Sequence, residues 1–298
     1  MNKKILALYY SQSGQLGEIV DSFIQPLKDA GATIEILRVK PVNDFPFPWT
    51  TDQFFEAMPE SVLAKPIELE PFQCSETQYD LVIFAYQPWF LSLSIPAHSL
   101  LVHPAIQKII KTSPVLTLIG SRNMWLNSQE RLKKILKENG TKLVGNISLS
   151  DRNSNLISAA TILYWMLTGK KERMLGLFPK PGVSAEDIQN TATFGRTVLP
   201  YLIAGNYTGM QKHLAQQGAV EVKTQLLFIE ERAPRLFSIW ANIINQSKHR
   251  KAWLLLFKYY LLIALFIVAP IVLTFYSILF LPFLSKSISR KKEYYMAC

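Results

Sequence analysis

Residues 5–17 read Ile5-Leu6-Ala7-Leu8-Tyr9-Tyr10-Ser11-Gln12-Ser13-Gly14-Gln15-Leu16-Gly17, and this stretch decides the fold. Six consecutive apolar residues are what a strand buried on both faces of a parallel sheet needs. The run is too short for a signal-peptide core. A Ser/Gly/Gln turn follows, and then a periodic stretch from Glu18 to Ala30 with Ile19, Val20, Phe23, Ile24 and Leu27 on one face, closed by Gly31. Strand, polar turn and helix in that order place small hydroxyls and unpaired backbone N–H groups at a helix N-terminus. The partial positive charge there can hold a phosphate without a lysine. The chain lacks the G-x-G-x-x-G dinucleotide fingerprint and the G-K-[ST] triphosphate loop, which narrows the ligand to a monophosphate. The competing reading of the turn is a plain helix N-cap.

Outward from this unit the alternation continues. Ala32 to Val39 alternates as a second strand, and residues 41–76 form a Pro- and aromatic-rich crossover with a short helix near Asp52 to Met58. Asp80-Leu81-Val82-Ile83-Phe84-Ala85-Tyr86 is a central strand. Leu100 to Lys111 reads as a helix, Val115 to Ile119 as a strand, Ser128 to Asn139 as a helix ended by Gly140, and Lys142 to Leu149 as a fifth strand. Such alternation predicts a doubly wound parallel sheet with helices on both faces. Ser184 and Asp187 cap a closing helix that runs to about Ala204. Residues 154–178 are an insertion whose apolar run, Leu156 to Leu167, is either a core helix or a lid beside an apolar substrate.

Charge and cysteines exclude several classes. The net charge is +10. Residues 1–231 hold 22 Lys/Arg against 21 Asp/Glu, and residues 232–298 hold 10 against one. The basic excess therefore flanks the most apolar stretch, which suits anionic lipid and not nucleic acid. Cys74 and Cys298 give neither a disulfide framework nor metal spacing, and His98, His103, His213 and His249 are scattered. No metal site or hydrolytic triad is expected. From Ala252 to Leu284 the only charge in 33 residues is Lys258. At about 1.5 Å per residue that run is roughly 50 Å long, against about 30 Å of hydrocarbon. With basic clusters on both sides and Pro270 and Pro282 inside, it reads as a re-entrant hairpin ahead of a single tilted span from Tyr259 to Phe280.

The loop Ser11, Ser13, Gly14, Gln15 resembles the [ST]-x-[ST]-G-x-[ST] phosphate loop of the flavodoxin-like superfamily, with Leu16 in place of the last hydroxyl. Gln87-Pro88-Trp89-Phe90 after the third strand, followed by Ser92 to Ala97, resembles that superfamily's first flavin loop. Gly120-Ser121-Arg122-Asn123-Met124-Trp125 stands where its other flavin loop stands. The resemblance covers residues 3–205 and implies a five-stranded sheet of order 2-1-3-4-5 with FMN as cofactor. Ser11, Ser13, Gly14, Gln15 and Leu16 are then expected at the phosphate. Gln87, Pro88, Trp89, Phe90, Gly120, Ser121 and Trp125 are expected at the ring, with Arg122 and Asn123 as catalytic candidates that polarise a substrate oxygen.

The expected organisation is a flavin domain at 1–205, a basic helical region at 206–251, a membrane segment at 252–284 and a basic tail at 285–298. A flavodoxin-like domain of this length with an apolar C-terminus further resembles the bacterial dialkylresorcinol-condensing enzymes (aromatases). That resemblance implies oxidation of a dialkyl-cyclohexanedione supplied by a ketosynthase partner, at the cytoplasmic face of the inner membrane. A membrane-bound NAD(P)H-dependent quinone or FMN reductase is the rival enzyme reading, and a flavin-free scaffold the non-enzymatic one.

Overall fold

The computed structural model describes residues 2–279 and 283–298. Five parallel strands, β1 (Lys4–Tyr9), β2 (Thr33–Arg38), β3 (Leu81–Tyr86), β4 (Val115–Ser121) and β5 (Leu143–Ser150), form one sheet. Their spatial order is β2-β1-β3-β4-β5. This is the flavodoxin-like doubly wound arrangement, in which the strand order reverses between β1 and β3. All six residues of β3 are buried, as are Ile5 to Leu8 of β1. At the β2 edge Ile36 is 41% exposed, whereas the β5 edge is partly covered by a bridge from Ser148 to Val220, which shields part of that ladder.

Helices α1 (Gln15–Asp29), α2 (Thr51–Val62), α3 (Ile95–Val102), α4 (Pro104–Thr112), α5 (Leu126–Asn139), α6 (Asn155–Thr168), α7 (Ala185–Ala204) and α8 (Met210–Gln216) follow in chain order. Helices α1 and α7 pack on one face of the sheet and α3, α4 and α5 on the other, giving two apolar cores. The single helix expected at Leu100–Lys111 is two, because Pro104 forces His103 out of helical geometry (ψ 130°). The His103 Nδ1 then accepts the Ala105 amide and caps α4. Ser184 accepts the Asp187 amide at 3.0 Å and starts α7.

Beyond residue 205 the chain is not a loose appendage. Helix α9 (Thr224–Gln246) packs along α2 and α5. A continuous 30-residue helix, α10 (Arg250–Leu279), returns along α9. By length and composition alone it is long and apolar enough to cross a membrane. The chain does not turn back at Pro270: among the described residues of the expected re-entrant segment the helix runs on through it to Leu279. Five residues just before the proline, Ala264–Val268, take π-helical pairing, which accommodates the missing N–H and the ring of Pro270 without breaking the helix. The expected span end at Phe280, and Pro282, lie outside the described residues. Residues 285–296, expected as a basic tail, form helix α11 (Ser285–Met296), and its Ile288 enters the main core.

Candidate functional site

Three loops meet at the carboxyl ends of β1, β3 and β4. They wall an inner cavity of about 230 Å³ with Ser13, Gln15, Leu16, Gln87, Pro88, Trp89, Phe90, Gly120, Ser121 and Arg122. Gly14 is the left-handed N-cap of α1 (φ 88°). Helix α1 begins at Gln15, so its first amides lack intrahelical partners. Ser11 lies outside the cavity wall: it is buried, and its hydroxyl accepts the Gly17 amide at 3.3 Å, so it caps the helix. The Gln15 side chain is tied to Val183 in both directions, donating to its carbonyl at 3.0 Å and accepting its amide at 3.1 Å. That leaves Gln15 only its backbone N–H for an anion. The same tie explains Gly182, whose φ is +83° and where a Cβ would lie 2.7 Å from Gln15 Oε1 and 2.9 Å from Trp165.

The β3 loop is a tight hairpin, Pro88–Trp89 paired with Ser92–Leu93, turned by Phe90 (φ 47°) and Leu91 (φ 61°). Turns of this kind normally take Asn-Gly, so two large apolar residues here hold strain. The surroundings brace them. Ser61 Oγ donates to the carbonyls of Trp89 and Leu93 at 3.0 and 3.1 Å, and Asn127 donates to Leu91 O. Trp89 meets Tyr10, Phe45 and Trp49 edge-on, and Phe90 packs on Phe54 at 5.0 Å between centroids.

In the β4 loop, Arg122 donates to Asn155 O at 3.0 Å and reaches Ser158 Oγ at 3.5 Å. It is half-buried, and it contributes to the walls of two cavities. Burial pulls its pKa down to about 10, with Asp151 and Glu230 opposing the shift. Among the described residues no carboxylate forms an ion pair with it. Asn123 is turned away from both cavities, and its amide donates to Asn155 Oδ1 and Ser158 Oγ, each at 3.2 Å, so it positions α6. Trp125 is likewise in the core and not in the cavity wall, with its indole N–H on Glu221 O at 3.4 Å.

Sequence reading did not find Trp49, Phe54, Ile162, Trp165 and Met166, which complete the inner cavity. The first two come from the 41–76 crossover and the rest from α6. The buried Trp49 N–H has no hydrogen-bond partner among the described residues. Glu230, on α9, was also missed. Its carboxylate accepts the Leu126 amide at 2.8 Å, and burial raises its pKa to about 8 against the amides of Leu126, Asn127 and Trp125 and the charge of Arg122. The Ser184-type signal that marks a local cap does not exist for a contact 104 residues away.

A second, apolar cavity of about 450 Å³ adjoins the first and shares Phe54, Pro88, Phe90, Arg122 and Ile162 with it. Its remaining walls come chiefly from α6, α9 and the inner side of α10, among them Leu163, Phe228, Leu236, Leu265 and Val268. Among the described residues, no three potential metal ligands come together.

No known protein family matches the chain, and no curated protein does. Solved structures do. A flavoprotein from Lactobacillus acidophilus NCFM, determined in complex with FMN, is 18% identical over 49% of this chain and 93% of its own, with a TM-score of 0.39. A Bacteroides eggerthii DSM 20697 protein assigned as a flavoprotein is 16% identical over 57% of this chain and 100% of its own, also at 0.39.

Proposed function

We propose that the protein is an FMN-dependent oxidoreductase acting on a lipophilic, oxygen-bearing substrate. The observation that carries this reading is that the two cavities share Arg122 in their walls, a cation with no carboxylate ion-pair partner among the described residues. The inner cavity suits a flat ring with a phosphate tail. The N-terminal amides of α1 and the Ser13 hydroxyl would hold the phosphate, in the place where a helix dipole favours an anion. The Gln87–Phe90 and Gly120–Arg122 loops would hold the ring. FMN, when bound, supplies two-electron redox chemistry.

The chain's own residues do the rest. Trp89, Phe90 and Phe54 exclude water from the ring's surroundings. Arg122, in a site poor in water, stabilises negative charge on a substrate oxygen more than it would in solvent. The outer cavity takes the apolar remainder of the substrate, and its volume is within the usual range of about 300–1,000 Å³ for small-molecule sites. At the finest level, the resemblance to dialkylresorcinol-condensing enzymes specifies the substrate as a dialkyl-cyclohexanedione made by a ketosynthase and oxidised to the aromatic ring. A long-chain quinone reduced at the expense of NAD(P)H fits the same pair of cavities and is the second reading.

The first test is to purify the full chain in mild detergent, record its visible spectrum and identify any released flavin. FMN in near-stoichiometric amount supports the proposal. Colourless protein whose tryptophan fluorescence ignores added FMN overturns it. Turnover of a dialkyl-cyclohexanedione without NAD(P)H separates the first substrate reading from the second.

A further inference from the structure

Helix α10 is too long and too apolar for its surroundings. None of the residues in its most apolar 18-residue stretch is buried. Tyr259, Ile263, Ile267, Ile271, Phe275 and Ile278 are 52–67% exposed and fall three or four residues apart, so they form one outward stripe. A continuous apolar surface of this size marks a partner.

The two ends of the helix say how that partner is met. At the start, Arg250 pairs with Glu60 of α2 at 2.8 Å, and Leu254 and Phe257 are buried against Phe55 and Met58. Near the other end Tyr276 stacks on Phe228 of α9 at 4.5 Å. Just beyond it, α11 docks on the same domain. Tyr294 Oη donates to Glu130, Gln211 donates to Met296 O at 2.8 Å, and Lys291 pairs with Glu231. A helix of about 45 Å that crossed a bilayer would have its ends on opposite sides of about 30 Å of hydrocarbon. Here the first turn of α10 is ion-paired to Glu60, its far end rests on Phe228, and α11 just beyond it is bound to Glu130 and Glu231 of the same folded domain. Such carboxylates do not enter hydrocarbon at tolerable cost.

We infer that α10 does not span the membrane but lies in the plane of a single leaflet. Its outward stripe is sunk among the acyl chains, and the flavodoxin-like domain rests on the headgroups. The leaflet is anionic. Residues 232–298 carry ten basic residues against Glu293 alone, with exposed Lys251 in the first turn of the helix and exposed Lys248, Lys286 and Arg290 beyond its two ends. A second copy of the chain seated on the same stripe would bring two such basic surfaces together, whereas anionic headgroups complement them. This placement is independent of the flavin reading.

The test uses the full chain with Cys74 and Cys298 changed to Ser. Single cysteines replace Tyr259, Ile267 or Phe275 and carry an environment-sensitive fluorophore. The labelled proteins are mixed with vesicles of phosphatidylglycerol and phosphatidylcholine holding spin-labelled lipids at shallow or deep acyl positions. An in-plane helix gives three similar, shallow quenching depths. A middle position much deeper than the flanking two, as a span or a re-entrant hairpin produces, overturns the inference. So does a loss of fluorescence response together with a stable dimer cross-linked through position 267. The double variant Ile267→Glu/Ile271→Glu is expected to lose at least tenfold in vesicle partitioning while its circular dichroism stays unchanged. Undiminished partitioning also overturns the inference. Should that variant fail to fold, the depth measurements stand without it.

Discussion

Arg122 and Glu230 show how two single residues set the chemistry of a site. Arg122 is held by a backbone carbonyl and a hydroxyl and, among the described residues, by no carboxylate, so its charge remains available to a ligand. Replacing it by Gln should lower kcat/KM by about 10²–10³, the cost of one oxyanion-stabilising donor. FMN content should hold, and steady-state turnover with flavin quantified beside it checks this. Ser158→Ala, which removes only a tie to α6, should change turnover by far less. Glu230 has the opposite problem of a carboxylate buried where its charge is poorly solvated. Its folded pKa of about 8 lies above the unfolded value of 4.5, so between those limits the folded state binds more protons than the unfolded one. Stability should therefore fall as pH rises from about 4.5 to 8, by at most about 1.4 kcal/mol per pH unit, and level off above. Glu230→Gln should flatten that stretch and melt higher than wild type at pH 8, as thermal unfolding across pH 5–9 would show. That Ser13, Gly120 and Ser121 stand in the cavity wall was legible in sequence because each sits beside a strand end, whereas Ser11 turns back to the Gly17 amide. Asn123 and Trp125 were misplaced because a loop sequence does not say which of its side chains turn inward.

Elements were easiest to read where a local signal fixes them. The apolar runs of β1 and β3, the Ser184 cap and the Gly140 stop all act within one turn of chain, and the structure has them within a few residues of expectation. Splitting α3 from α4 needed only Pro104, a signal present but not weighed. Contacts between elements were not legible. Helix α1 lies so close to α7 that a Cβ on Gly195 would come within 2.2 Å of the Phe23 carbonyl oxygen. Backbone cannot swing aside as a side chain can. Gly195→Ala should therefore cost about 1–3 kcal/mol through forced separation of the pair, although alanine is the better helix former, and urea denaturation would measure it. Likewise Phe257 is fully buried among α2, α9 and α10. Phe257→Ala should destabilise by about 3–5 kcal/mol, an outcome a free membrane anchor would not give.

At the scale of the molecule the C-terminal third completes the domain. Helix α11 adds Ile288, Tyr295 and Met296 to the main core, and α10 covers Phe55 and Met58. A chain cut after residue 246 should thus aggregate or melt well below the full protein, and size-exclusion chromatography with thermal unfolding would decide. If the C-terminus were a detachable anchor, the cut would leave a stable soluble domain. The sequence by itself determined the strand–helix alternation, the parallel sheet, the Ser/Gly turn between β1 and α1 and the apolar, basic-flanked character of residues 252–284. These are patterns of local periodicity, and burial on both faces or on one writes itself into every residue along an element. Only the tertiary structure decided that α6 and the 41–76 crossover wall the inner cavity. The same holds for the buried Glu230 carboxylate on the Leu126 amide and for the contacts of α10 along one domain. Each of these depends on contacts between residues far apart in the chain, and no periodicity within a segment records what the segment will meet.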